Sequence, residues 1–160
     1  MTRFVAVAGT ALALLAVAPA RAADLSGVWL TNAGDAHIRM AKCAPNGLTM
    51  CGTIVWLQQA TDANGVPLTD AKNPDPARRS QPMIGTVVAI DFQPASDDPE
   101  RLVGQFYNAE DGQTYNGSIV ARGPDALAVT GCLLIFCQTQ TWTRVPTPPP
   151  PPPPARATKK

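Results

Sequence analysis

The stretch RLVGQFYNAEDGQTYNGSIVARGPDALAVTGC, Arg101 to Cys132, decides the fold. It holds three β-type runs, Arg101 to Asn108, Thr114 to Ala121 and Ala126 to Cys132. Asp111-Gly112 separates the first two, and Gly123-Pro124-Asp125 separates the second from the third. Asp-Gly tolerates the positive φ angles of a tight hairpin, so the stretch reads as three successive antiparallel strands with short links.

Outward from this meander the same spacing continues. Gly27 to Asn32, His37 to Cys43, Met50 to Gln58, Ile84 to Phe92 and Gln138 to Val145 are further β-type runs, with Asn46-Gly47 as a second hairpin signal. No segment repeats apolar residues at i, i+3, i+4 and i+7 over three turns, the signature of a helix. Eight short strands with turn signals about every ten residues predict an all-β chain. An eight-stranded up-and-down antiparallel barrel is the expected form, because closure removes exposed sheet edges.

The ends fall outside the strand pattern. Arg3, the apolar run Phe4 to Val17 and the small residues Ala18-Pro19-Ala20 and Ala20-Arg21-Ala22 predict a secretory signal peptide over 1–22. The run is shorter than the roughly 20 residues that span a bilayer. Residues 23–145 form the expected barrel domain, with no membrane span. Residues 146–160 are a proline-rich tail, whose block Pro148 to Pro154 favours extended polyproline II. The predicted location is the periplasm or the exterior of the cell.

Charge and cysteines narrow the class. Between Ala23 and Val145 there are eight Lys or Arg and twelve Asp or Glu, a net of −4. Binding a phosphate backbone needs clustered positive charge, so nucleic acid is not an expected partner. Cys43, Cys51, Cys132 and Cys137 are even in number in an exported chain and predict disulfides, local spacing favouring Cys43–Cys51 and Cys132–Cys137. There is no C-x-x-C, and His37 is not at ligand spacing from a cysteine, so no metal or cofactor is expected.

Catalytic signatures are missing as well. His37 is the single histidine, there is no G-x-S-x-G elbow, and His37 reads as a surface residue at a strand start. Asp62-x-Asn64-Gly65 with Asp70 has the outline of a calcium loop, but Val66, Pro67 and Asn73 stand where oxygen ligands, glycine and glutamate are required. The long polar connection Ala60 to Pro82 contains Asp70, Asn73 and Asp75, and connections of this length are usually functional or disordered. Those three residues mark it as a candidate functional loop.

Trp29 lies in the first strand, two residues after Gly27, while Trp142 and Arg144 share one face of the last. In a closed barrel these strands are neighbours. Arg144 over the Trp29 indole would add a cation–π contact of about 0.5–2 kcal/mol.

In order, the chain carries Gly27-x-Trp29; Cys51-Gly52 and Ile54 to Leu57; Asp70 with Asn73 to Pro76; Pro82-x-Ile84-Gly85; Asp111-Gly112-x-Thr114-Tyr115; and Thr141 to Arg144. Together these resemble the bacterial exported family called domain of unknown function 2147, over Leu25 to Val145. That family is similar to lipocalin-like (calycin) barrels, which also begin with G-x-W and place an arginine near the end. The resemblance implies a fold and a location without a reaction.

Two functions follow as expectations. One is a non-enzymatic barrel holding a small apolar or amphipathic ligand, a lipid included, with room left by small strand residues Gly85, Ala89, Gly104, Gly117 and Ala128. The other is an envelope interaction protein that docks through its long loop or tail.

Overall fold

The computed structural model describes residues 25–146. The signal segment, and the tail apart from Pro146, lie outside the described residues. Eight strands, β1 (Gly27–Leu30), β2 (Ala36–Lys42), β3 (Met50–Leu57), β4 (Val87–Pro94), β5 (Arg101–Asn108), β6 (Gln113–Ala121), β7 (Ala126–Leu133) and β8 (Phe136–Arg144), follow one another in a closed barrel. Every neighbouring pair is antiparallel, and Trp29 opposite Arg144 joins β1 to β8. The fold is thus the all-β, eight-stranded, up-and-down barrel that the meander predicts.

Alternation sets which side chains fill the interior. Ala36, Ile38 and Met40 on β2, and Leu127 and Val129 on β7, are buried, while the residues between them are not. The lower half, around the start of β1 and the end of β8, is packed solid by Trp29, Met40, Phe92, Leu102, Ile119 and Leu127. Gly104 and Gly117 belong to this packing. A Cβ at Gly104 would lie 2.8 Å from the Phe92 ring, and one at Gly117 would lie 2.4 Å from that of Phe106.

Several local readings needed correction. β4 begins at Val87 and not at Ile84, because the chain turns over Met83 to Thr86, the Thr86 N–H bonding to the Met83 carbonyl and Gly85 taking φ 104°. Asn46-Gly47 does not form a positive-φ hairpin. The link between β2 and β3 instead turns at Ala44 to Gly47, with the Gly47 N–H bonded to the Ala44 carbonyl, and Gly47 is absent from the positive-φ glycines. Gly112, at φ 74°, has the conformation expected of it.

The connection between β3 and β4 is not structureless. Bridges Thr61–Pro67 and Thr69–Pro82 fold it back on itself, and a short 3₁₀ turn, Pro76–Arg78, sits at its tip. Disulfides link Cys43 to Cys51 and Cys132 to Cys137, and no described cysteine is free. Each closes a short loop between neighbouring strands, worth about 2–3 kcal/mol by chain entropy.

Candidate functional site

The two ends of the barrel differ. At the end where β1 starts and β8 finishes, Arg144 closes the interior. Its guanidinium carbon stands 4.1 Å from the centre of the Trp29 ring, and its Nε and Nη1 donate to the carbonyls of Pro124 and Ser26 at 2.6 and 2.9 Å. The Trp29 indole N–H donates to the Leu25 carbonyl at 2.9 Å. Gly27 is the residue that allows this plug, since a Cβ there would lie 2.5 Å from Arg144 Nη1.

At the opposite end the interior is open. A cavity of about 560 Å³ has Ile38, Val88, Phe106, Val129 and Trp142 as its apolar wall and floor. Thr31, Tyr115, Gln138 and Gln140 supply its polar side. Gln138 and Gln140 are exposed to solvent, although they lie on the same face of β8 as buried Trp142. Rings stack beneath the floor, with Phe92 to Phe106 at 4.8 Å and Phe106 to Trp142 at 6.2 Å between centroids. No residue that lines this lobe is acidic or basic. The indole N–H of Trp142 is buried and meets no acceptor.

A second lobe of about 550 Å³ shares Thr31, Val88, Tyr107 and Asn108 with the first, and extends toward Leu57, Leu68 and Met83. The β3–β4 connection therefore forms part of its wall. Asp70 pins that connection. It is 2 % exposed and is the buried charged residue among those described. Tyr107 donates to its Oδ1 and Asn73 Nδ2 to its Oδ2, both at 2.6 Å. Burial, and next the hydrogen bond to Asp70, push the Tyr107 phenol up to about 12. Lys72 Nζ adds a 2.5 Å bond to the Glu110 carbonyl in the β5–β6 turn.

Asp75 joins this cluster through its backbone, its N–H donating to Asn73 Oδ1 at 2.9 Å, while its side chain caps the 3₁₀ turn by accepting from the Ala77 N–H at 3.0 Å. Tyr115 donates to Asp111, and this bond holds the Asp111 carboxyl below its ordinary range while raising the phenol. Asp62 closes a turn by accepting from the N–H groups of Asn64 and Val66 at 2.8 and 2.9 Å, which lowers its pKa. His37 faces outward, stacked 4.3 Å from Trp56. Cys43, Cys51 and Asp91 cluster, but both sulfurs are committed to a disulfide and offer no thiolate.

The small residues expected to make room do not. Phe92 and Phe106 occupy the space over Gly104 and Gly117, and Ala89 packs into the core beside Gly52. Gly85 is in the β3–β4 connection, and Ala128 alternates out of phase with buried Leu127 and Val129. Room comes instead from Gly131, where a Cβ would meet nothing within 4 Å, and from the polar stretch Gln138 to Gln140. Sequence reasoning passed over these wall residues. Their signal was the alternation of Gln138, Gln140, Trp142 and Arg144 on one face of β8.

Comparison with known proteins agrees with this architecture. The family model described as "Uncharacterized protein conserved in bacteria (DUF2147)" matches residues 27–144. A solved structure, described as "Protein HP1028 from the human pathogen Helicobacter pylori belongs to the lipocalin family", superposes with a TM-score of 0.63 at 19% identity. The match covers 77% of this chain and 84% of that one. No curated protein matches. The chain belongs to the DUF2147 family, with a lipocalin-like fold.

Proposed function

We propose that this DUF2147 barrel binds a small, neutral, amphipathic ligand in its open end, in the periplasm or outside the cell. One observation carries the reading: the first lobe of the open end is a cavity of about 560 Å³ with an apolar wall, a polar stripe and no charged lining residue, the acidic Asp35 and Glu110 being confined to the second lobe. Its volume lies in the range of roughly 300–1,000 Å³ usual for small-molecule sites. Eight-stranded barrels are just wide enough to hold one such ligand.

The lining chemistry defines the class. Ile38, Val88, Phe106 and Val129 suit a hydrocarbon body, and Thr31, Gln138 and Gln140 suit neutral hydrogen-bonding groups along one edge. A charged group in this lobe would lose its hydration without gaining a counter-charge. A lipid whose ionised head stays outside the mouth fits these constraints.

A binder is favoured over an enzyme because the polar wall groups of the first lobe are amides, a hydroxyl and the phenols of Tyr107 and Tyr115, with no carboxylate or imidazole among them. Two disulfides fit an oxidising compartment outside the cytoplasm. Among the described residues no helix is long and apolar enough to cross a membrane. Docking through the β3–β4 connection is less favoured, since Asp70 and Asn73 are spent on anchoring it.

Native mass spectrometry of the exported protein tests the reading. A co-purified neutral or weakly polar small molecule, displaced by Nile red, is the expected result. Protein that carries nothing and leaves Nile red fluorescence unchanged would overturn it.

A further inference from the structure

Leu133, Leu134, Ile135 and Phe136 form the tip of the β7–β8 hairpin and are 59, 90, 86 and 74% exposed. Turn positions ordinarily carry Gly, Asn, Asp or Ser. Here four large apolar side chains stand in water, and Leu134 adopts a left-handed conformation, φ 55°, that non-glycine residues seldom take. The Cys132–Cys137 disulfide ties the ladder immediately behind them. The tip is therefore tied at its base to the end of the barrel.

We propose that this tip is a membrane-docking element, which inserts into the outer layer of a phospholipid bilayer and sets the cavity mouth against it. Three observations favour a bilayer over a protein partner. First, a stable protein interface takes roughly 20–30 residues a side, and a tip of four side chains falls far short, whereas a lipid surface needs no complementary shape. Second, Ala126 to Thr143 contains no Lys, Arg, Asp, Glu or His, so the hairpin enters an apolar layer without carrying an ionised group into it. Third, Leu133 and Phe136 also line the cavity, making the apolar tip continuous with its apolar wall.

Docking is driven by apolar burial and not by charge, because the hairpin offers no cation to an anionic headgroup. It goes beyond the ligand reading and does not depend on it, since the tip partitions whether or not the cavity is filled.

The test is flotation of the full exported protein with large unilamellar phosphatidylcholine vesicles. Wild-type protein is expected to float with the vesicles equally at 0.05 and 0.5 M salt, as a screening-insensitive interaction should. The paired substitution Leu134→Ser and Ile135→Ser should lower partitioning at least tenfold, and Ile135→Trp should raise it, because an indole suits the interface. Any tail contribution is common to all three proteins and cancels in the comparison. Equal partitioning of wild type and the serine variant would overturn the proposal, as would binding abolished by salt or no binding by either wild type or Ile135→Trp. Nile red uptake without vesicles reports the cavity separately, so failure of one reading is distinguishable from failure of the other.

Discussion

Tyr107 and Asp70, 37 residues apart in sequence, meet in a 2.6 Å hydrogen bond that fastens the β3–β4 connection to the rim of the barrel. The carboxylate is buried and its second oxygen is taken by Asn73, so the contact places one charge away from water and gives it two donors. Breaking such an arrangement costs more than the bond itself, because the remaining buried partner is left unsatisfied. Asp70→Asn keeps the shape and removes the charge. It should destabilise the fold by about 1–3 kcal/mol in urea unfolding, and hydrogen exchange should quicken between Ala60 and Pro82 before elsewhere.

Alkaline stability should depend on the same pair. Tyr107 holds its proton up to about pH 12 in the folded protein, against an ordinary value of 10.0. A raised folded pKa gives stability that is complete below the unfolded value and is lost as pH rises toward the folded one. Urea midpoints should therefore fall between pH 10 and 12. Tyr107→Phe should be less stable at pH 8 and show a flatter decline across that window. The phenol of Tyr115, also raised, remains as a shallower contribution.

Arg144→Ala should destabilise the barrel by about 1–3 kcal/mol, through lost stacking on Trp29 and the lost bonds to the carbonyls of Pro124 and Ser26. Arg144→Lys should recover only part, since an ammonium cannot reproduce the planar stack and fork. A double-mutant cycle with Trp29→Phe should give a coupling of about 0.5–2 kcal/mol. Coupling near zero would show that the guanidinium acts through its carbonyl bonds alone.

Gly131→Leu separates cavity from fold. The new side chain enters open space on the cavity wall, and glycine is a poor strand former in any case. Thermal unfolding should be unchanged or slightly later, while Nile red affinity should fall roughly tenfold, the effect of losing about 1.4 kcal/mol of contact. A large loss of stability would mean that the space at Gly131 is not available in solution.

Much of the architecture was legible before folding was considered. Arg101 to Asn108 and the turn at Gly112 need only local pattern and the φ preference of glycine, and the structure reproduces that strand's limits. The barrel's closure was also visible, as two alternating segments at the ends of the chain. Local readings failed where the backbone turns. Ile84 and Gly85 look like strand, yet Gly85 takes φ 104° and the Thr86 N–H turns back to the Met83 carbonyl.

The candidate site was largely hidden, for a reason of volume. Gly104 and Gly117 read as space, but whether a glycine leaves a hole depends on which ring the facing strand delivers. Phe92 and Phe106 come from register, not from neighbours in sequence. Likewise Asp70 read as one polar loop residue among many, and only the approach of Tyr107 makes it a buried anchor.

Strand period, turn chemistry and cysteine spacing are short-range properties, and the chain by itself determined the eight strands, their antiparallel order and the pairs of sulfurs close enough to join. Which end of the barrel is filled and which is open was decided only in three dimensions. Packing depends on the sum of side-chain volumes meeting at each level of the barrel. Trp29, Met40 and Phe92 exhaust that space at one end, while Gly131, Gln138 and Gln140 leave it free at the other.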